Sequence, residues 1–303
     1  MVTMKAMHSA WEKFAAQILC VFCLLASGIG ASKSAPSVTW QPQKLVNGSP
    51  VLFELRGAPG IRAITANWLG HELSFFRGTE ANSWYALAGI PVEQAPGSYE
   101  LKIVETRSGA KAISLVRRLK IGKARYPKIT IKVARKFTEP NPEQLKEALA
   151  DKQVKQKAFA AATPERLWSG SFARPVSDAI SDIFGTARVF NGEVKSRHQG
   201  LDFAAPAGTP VHAINDGTVV LARALYFEGN FVVIDHGQGL MSLYLHLSEI
   251  KVKEGEEVKS GQTLGLSGGT GRASGPHLHL AVRWQGVYLD PATLLKIKIP
   301  AVL

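Results

Sequence analysis

Apolar and polar residues alternate over short runs in the first third of the chain, and Gly or Pro separates the runs at intervals of about ten residues. The clearest runs are Val51–Leu55, Trp84–Ala88, Tyr99–Val104 and Ile113–Val116. This pattern is typical of strands with one buried face. It predicts a small antiparallel β-sandwich over residues 35–122.

The pattern changes after residue 122. Residues 129–133 read as one more strand with basic side chains, and helix-forming residues then run from Pro140 to Ala161 after an Asn-Pro start. Few of these helical positions are apolar, which favours a basic strand and a helical linker over residues 123–169. A second domain then occupies residues 170–303, since a chain of 303 residues usually divides its core. The predicted fold class is mainly β: a sandwich that resembles Ig-like domains in outline, a connecting helix, and a C-terminal antiparallel β-sheet domain.

The N-terminus predicts export. Lys5 and Lys13 precede an apolar run from Phe14 to Ala26, and small residues follow it. This is the layout of a signal peptide, which we place at residues 1–31. Both cysteines lie inside it, so a mature exported chain would have no thiol ligand or nucleophile. We expect a periplasmic location, with an extracellular one as the alternative.

Net charge adds a second feature. The chain carries +12, yet residues 170–303 hold 12 basic and 12 acidic side chains, so the whole excess precedes them. Residues 102–136 contain twelve Lys and Arg against the single acid Glu105. This basic belt includes Arg117, Arg118, Lys120 and Lys123. It predicts either an anchor on an anionic envelope polymer or a solvated strand face, and charge alone does not choose between them. Nucleic acid is not expected as a partner, and the oligomeric state is left open.

Candidate chemistry is concentrated after residue 197, where six of the eight histidines fall. His198 and Asp202 form an H-x-x-x-D pair, and Gly200 between them argues against a helix. His277 and His279 alternate with apolar residues, so both imidazoles would project from one strand face. Imidazole nitrogen and carboxylate oxygen are both zinc donors.

A further strand, Met241–Ser248, is expected to place Ser242, Tyr244 and His246 on its polar face. Each motif alone is most simply a half-exposed strand that happens to carry His, but three in one domain make that interpretation poor. His212 and His236 are expected to be structural. His71 is expected to be exposed or locally bonded.

Residues 185–295 resemble the LytM/lysostaphin-type zinc peptidoglycan endopeptidases. The resemblance rests on H-x-x-x-D at His198 and Asp202, Y-x-H-L at Tyr244–Leu247, and H-x-H at 277–279, with similar surrounding sequence such as Ala204–Pro210 and Gly261–Gly265. It implies one Zn²⁺ per chain bound by His198, Asp202 and His279, with His246 and His277 as catalytic residues. The implied reaction is hydrolysis of peptide bonds in peptidoglycan cross-links with metal-bound water as nucleophile. The sequence does not divide the base and oxyanion-stabilising roles between the two histidines.

Two alternatives belong to other classes. Residues 252–265 resemble swinging-arm carrier domains, but the lysine between methionines that such carriers modify is absent. A catalytically inactive LytM-type module that binds wall or activates an amidase would usually lack a metal or catalytic residue, and all five are present here. The Gly268–Gly271 loop could be mistaken for a phosphate cradle, but no helix follows it, so we interpret it as a flexible rim of the cleft.

Overall fold

The strand-like runs of the N-terminal third form two sheets in the computed structural model, which describes residues 36–57, 59–107, 109, 111–130, 141–190 and 193–300. Their strands are β1 (Ser37–Gln41), β2 (Leu45–Val46), β3 (Pro50–Arg56), β4 (Ile61–Trp68), β5 (His71–Ser74), β6 (Phe76–Arg77), β7 (Ser83–Gly89), β8 (Gly97–Arg107) and β9 (Ile113–Gly122). The sheet orders are β1-β3-β7-β6 and β2-β9-β8-β4-β5, with antiparallel pairing except between β2 and β9. All four predicted runs lie in these strands. The Ig-like topology and the domain boundaries stay predictions.

One strand and one helix connect this part to the rest. They are β10 (Lys128–Thr130) and α1 (Pro142–Ala160). Helix α1 begins with a capping box, in which Asn141 Oδ1 accepts from the Gln144 backbone and Gln144 Oε1 accepts from the Asn141 backbone. Its small apolar face packs on the C-terminal sheet through Val154, Ala158 and Phe159. The helix predicted as a linker therefore also covers part of a sheet face.

The C-terminal half is built on an eight-stranded antiparallel sheet. The remaining strands are β11 (Ile180–Asp182), β12 (Ala187–Phe190), β13 (Glu193–Arg197), β14 (Leu201–Phe203), β15 (Pro210–His212), β16 (Gly217–Leu225), β17 (Gly229–Asp235), β18 (Leu240–Leu247), β19 (Glu249–Ile250), β20 (Glu257–Val258), β21 (Thr263–Leu266), β22 (Leu278–Trp284) and β23 (Val287–Leu289), followed by helix α2 (Pro291–Leu294). The large sheet has the order β11-β14-β22-β18-β17-β16-β20, and β23 pairs with β22. Two three-stranded sheets, β10-β12-β13 and β15-β21-β19, flank it. The mainly β prediction is confirmed.

The large sheet has two different faces. One face carries Phe203, Tyr244, Leu280 and Trp284, which belong to the main hydrophobic core. The opposite face carries a smaller cluster that includes Phe231, Leu243 and Ala281, and α1 packs against it. The functional side chains described below project from this second face.

The main core is continuous across both predicted domains, because one cluster of buried residues extends from Leu45 to Ile299. The ring centroids of Phe76 and Trp168 lie 5.1 Å apart in this core. His71 contributes at the edge, where its Nδ1 lies 3.2 Å from Gln285 Oε1. His71 is therefore bonded to a distant residue rather than locally, because its strand lies beside the β22–β23 turn.

Several predictions fall on residues that the structure does not describe. The signal peptide at residues 1–31 lies outside the described residues, as does the part of the basic belt from 131 to 136. In the described ranges, no helix has the length and apolarity needed to span a membrane.

Candidate metal and catalytic site

Two adjacent strands bring three predicted metal ligands together. Strands β14 and β22 pair so that Asp202 lies directly opposite His279, and His198 lies three residues before the start of β14. His198 Nε2 lies 3.1 Å from Asp202 Oδ1 and 3.0 Å from His279 Nδ1, and His279 Nδ1 lies 2.8 Å from the same carboxylate oxygen. Three converging donors of these types fit Zn²⁺ and leave a fourth tetrahedral position for substrate or water.

A carboxylate that the sequence did not reveal supports the first ligand. His198 Nδ1 donates to Ile183 O at 2.9 Å and lies 3.3 Å from Asp182 Oδ2. Asp182 is itself held, because its Oδ1 accepts from Thr186 Oγ1 and from the Ile183 backbone. These contacts place the Nδ1 proton of His198 away from the site, which leaves Nε2 as the metal donor. No motif marks Asp182 in the sequence, since its role depends on the pairing of β11 with β14.

The absence of a side chain at Gly200 allows the third ligand, His279, to pack closely against the backbone at position 200. A Cβ at position 200 would lie 2.4 Å from His279 Nε2 and 2.6 Å from Leu280 O. No side chain fits there unless β22 or the imidazole moves. The glycine within the H-x-x-x-D motif is thus needed for the packing of the metal ligand.

His246 reaches the site through an irregularity in β18. The φ angle of His246 is +64°. Strand β18 contains one extra residue opposite the stretch of β17 between Asn230 and Val232. This β-bulge reverses the alternation, so His246 joins Leu243 and Leu245 on the cleft face while Tyr244 stays in the main core. The prediction that His246 shares a face with Ser242 and Tyr244 is wrong, because a bulge shifts the parity of every later side chain.

Backbone carbonyls orient both additional histidines. His246 Nδ1 donates to Thr270 O at 2.9 Å, and His277 Nδ1 donates to Gly275 O at 2.8 Å. Each Nε2 is then unprotonated in the neutral ring. The two ring centroids lie 4.9 Å apart, and His277 Nε2 lies 3.9 Å from Asp202 Oδ1. His277, the residue before β22, and His279 within it both line the cleft, which agrees with the prediction that they share one face.

Burial and hydrogen bonding determine the charge states of the site. Burial alone would raise the pKa of Asp202, but the His198 and His279 imidazoles beside its carboxylate outweigh it and hold that pKa well below its usual range. Burial, followed by the nearby His279 and His277, lowers the pKa of His246 to about 3. Burial likewise lowers the pKa of His279. The carboxylate is therefore ionised and these imidazoles are neutral near pH 7, which are the forms that metal binding requires.

These groups line a cleft of about 1170 Å³. One wall is formed by Lys155 and Phe159 of α1, and the 272–276 loop forms a rim. The residues predicted to form the rim, Gly268–Gly271, precede this loop and do not line the cleft, although Thr270 O accepts from His246 Nδ1. The other predicted sites lie elsewhere. Buried His236 donates from Nδ1 to Asp216 O, and its Nε2 is hydrogen-bonded to Ser242 Oγ. His212 Nδ1 lies 3.4 Å from Thr263 Oγ1, so both histidines have structural contacts, as expected.

Four residues of the basic belt lie outside the cleft lining and do not form one surface. Arg117, Arg118, Lys120 and Lys123 are all exposed. Within β9, Arg118 and Lys120 point to the side opposite the buried Leu119, whereas Arg117 has the same strand parity as Leu119. Glu100 lies 3.3 Å from Arg118, so part of the charge is compensated.

Comparison with known proteins agrees with this geometry. Residues 196–291 match the model of peptidase family M23. A crystal structure described as a peptidase M23 from Pseudomonas aeruginosa superposes with a TM-score of 0.62 at 31% identity, over 83% of this chain and 95% of that chain. The chain belongs to peptidase family M23. Membership in this family and the donor set above confirm the prediction of one zinc site.

Curated relatives match about a third of this chain. Peptidoglycan DD-endopeptidase ShyA of Vibrio cholerae is 50% identical over 103 residues, which are 34% of this chain and 23% of that protein. DD-carboxypeptidase/endopeptidase Mpg of Neisseria meningitidis is 42% identical over 97 residues, or 32% of this chain and 22% of that protein. The matched region thus spans about a quarter of the length of these relatives.

Proposed function

We propose that this M23 protein is a zinc-dependent endopeptidase that hydrolyses peptide bonds in peptidoglycan cross-links. The observation that carries the proposal is the convergence of His198, Asp202 and His279 beside two further histidines in an open cleft. The names of relatives that act on peptidoglycan support the substrate class.

In this proposal His198 Nε2, Asp202 and His279 Nδ1 hold the metal. Zn²⁺ supplies Lewis acidity, which lowers the pKa of water to about 7 and polarises the scissile carbonyl. Two neutral imidazoles and one carboxylate leave the site with a net positive charge when the metal is bound. That charge favours the oxyanion that develops on the substrate carbonyl.

His246 and His277 handle the proton. Because the Nδ1 of each ring is tied to a carbonyl, each Nε2 is free to accept a proton from the attacking water. The same nitrogen then returns the proton to the amine that leaves. The second ring can donate toward the developing oxyanion only when its own Nε2 is protonated, and the proposal leaves open which histidine has which role, since both have the same tautomer.

The cleft suits an extended peptide more than a compact ligand. Side chains from the sheet floor and from α1 provide an apolar surface along it, and these are Phe159, Phe231, Leu243, Leu245 and Tyr288. An extended peptide would lie over the floor with its scissile carbonyl at the zinc. Polar groups of the 272–276 rim are then available to its backbone.

A chain-wide role follows from the same proposal. Residues 1–31 would direct export to the periplasm, and the basic belt would hold the enzyme on an anionic envelope polymer. The competing function is an inactive M23 module that binds wall or activates an amidase. Retention of all five site residues favours the enzyme, because a module that only binds has no need of Nε2 atoms aligned beside a metal site.

Mass spectrometry of muropeptides tests the proposal. Purified sacculi would be digested with the zinc-loaded protein, with and without chelator, and the released cross-linked and monomeric products identified. We expect cross-links to be lost with zinc present and retained after chelation. Absence of any cleaved bond with a folded, zinc-loaded protein would instead support the inactive module.

Matched variants separate the roles. His279→Ala is expected to remove both zinc and cleavage, because it deletes a metal donor. His246→Ala is expected to keep zinc and lose cleavage, because it deletes a proton acceptor only. A zinc-free His246→Ala protein would contradict this division of roles.

A further inference from the structure

Two arginines in the cleft are not used by the mechanism. Arg188 lies on β12 and Arg272 lies on the rim loop, and both line the cavity that contains the zinc ligands. The Nε of Arg188 is buried and has no hydrogen-bond partner in the described part of the chain. A buried donor without a partner costs free energy, so a ligand that accepts from it would be favoured.

Neither arginine of this pair forms an ion pair within the described ranges. Glu228 also lines the cleft, and its charge partly offsets that of Arg272, because it raises the pKa of that guanidinium. Its Oε1 forms an ion pair with Lys155, however, and its Oε2 has no hydrogen-bond partner among the described residues, so it does not pair with either arginine. Partial desolvation and the positive charge of Arg188 both lower the pKa of Arg272, which places the two cations within electrostatic reach of each other.

Arg188 lies on a strand, and a backbone hydrogen bond and a ring contact hold Arg272 in its loop. Arg188 is paired across the sheet with Ile129 on one side and Ser196 on the other. The Arg272 backbone donates to Phe227 O at 2.8 Å, and its guanidinium carbon lies 4.8 Å from the Phe227 ring centroid. Two like charges that line one cavity, neither of them ion-paired within the described residues, are typical of an anion-binding site.

We propose that Arg188 and Arg272 form a subsite that binds a free carboxylate of the peptide substrate. The guanidinium fork matches a carboxylate in shape and donates paired, charge-assisted hydrogen bonds to it. The subsite rests on the proposed function, because it assumes that a peptide lies in the zinc cleft. It would fix the register of the peptide so that one bond, set by its distance from the carboxylate, meets the zinc.

The test uses a soluble cross-linked stem-peptide dimer in three forms: all carboxylates free, the terminal carboxylate amidated, and the side-chain carboxylates amidated. Wild-type enzyme is expected to cleave one amidated form with a KM at least about tenfold higher than that of the free form, and a kcat changed less than KM. The form that loses affinity identifies which carboxylate is bound. Equal kcat/KM for all three forms would overturn the subsite without requiring any variant.

Variants then assign the effect to the two arginines. Arg188→Gln and Arg272→Gln are expected to raise KM for the free form to that of the sensitive amidated form, and to leave the amidated form unchanged. Arg223→Gln is the matched control, since Arg223 is exposed and paired with Glu254 outside the cleft. Zinc content and circular dichroism establish that each variant is folded.

A binding measurement separates this inference from the proposed function. Titration calorimetry with the cleaved stem peptide, which is not turned over, is expected to give a Kd about tenfold weaker in either Gln variant. Arginine-dependent binding without cleavage of any dimer would keep the subsite and reject the endopeptidase. Cleavage that changes neither in the arginine variants nor on amidation of the substrate would keep the endopeptidase and reject the subsite.

Discussion

Asp182 lies directly behind His198, with its Oδ2 3.3 Å from the imidazole Nδ1, while the other nitrogen of the same ring faces Asp202 and His279. Asp182 thus acts through His198 as a positioning residue. Carboxylates in this position fix the tautomer of a ligating imidazole and increase its basicity. No sequence motif includes Asp182, because its contact with His198 arises from the antiparallel pairing of β11 and β14.

Asp182→Asn is expected to weaken zinc binding about 10- to 100-fold, because the amide keeps the size of the side chain and loses its charge. Competition with a chelator of known affinity measures this change, and activity should return at excess zinc. Asp178→Asn is the control, since Asp178 lies four residues earlier and does not line the cleft. Equal zinc affinity in Asp182→Asn and wild type would show that the carboxylate does not support the ligand.

Gly200→Ala is expected to reduce zinc occupancy, because the new methyl group would overlap the His279 ring and the Leu280 carbonyl. Overpacking of this kind costs about 1–3 kcal/mol of unfolding free energy. Metal analysis and thermal unfolding check both effects. At Gly122 an added methyl would make ordinary contact, at 3.6 Å from Leu45 O, so Gly122→Ala should leave zinc unchanged. Full occupancy in Gly200→Ala would mean that β22 moves easily.

Strand alternation was enough to place His277 and His279 on one face, because β22 is a regular strand. The H-x-x-x-D pair could also be recognised from the sequence, since a turn that leads into a strand can bring the first and last residues of the motif together. His246 was not placed correctly by the same rule. Its bulge depends on how β18 pairs with β17, and pairing register is not encoded in the local alternation of one strand.

Other parts of the site depend on contacts between distant segments. Asp182 and Arg188 come from strands with no distinctive pattern, and they reach the cleft through pairing partners more than ten residues away. Helix α1 was interpreted as a linker because its apolar face is small. Its last turns nevertheless form a cleft wall through Lys155 and Phe159. A narrow apolar face is sufficient to hold the helix on the sheet when an ion pair, here between Lys155 and Glu228, lies beside it.

Buried His236 is expected to make stability depend on pH. Burial lowers its pKa to about 4, below the value of about 6.5 in an unfolded chain. Between these values the unfolded state binds one more proton, so stability present above pH 6.5 is lost as pH falls toward 4. Protonation of this group lowers the free energy of unfolding by about 1.4 kcal/mol per pH unit.

Urea unfolding of wild type and His236→Asn at several pH values between 4 and 7.5 measures this contribution. The variant loses the two hydrogen bonds at all pH values, so it should be less stable near pH 7.5. The difference between the two proteins should shrink as pH falls below 6.5, because only wild type loses the His236 term. A constant difference over the whole range would assign the pH dependence to other groups.

The division of the basic belt between two sides of β9 gives a sharper test of polymer binding than charge alone. If the side that carries Arg118 and Lys120 anchors the protein, replacing both with Gln should weaken binding to whole sacculi, whereas Arg117→Gln should have little effect. Binding of wild type should fall steeply with salt, since the Debye length shortens from about 10 Å at 0.1 M to about 3 Å at 1 M. Cleavage of a small soluble peptide should barely respond to either change, because Arg118 and Lys120 do not line the zinc cleft. Sedimentation with purified sacculi measures the binding, and the control is the double variant Lys251→Gln and Lys253→Gln, which removes the same two charges from exposed positions of the C-terminal half. Unchanged affinity and salt dependence in the Arg118 and Lys120 double variant would identify this side of β9 as an ordinary solvated strand face.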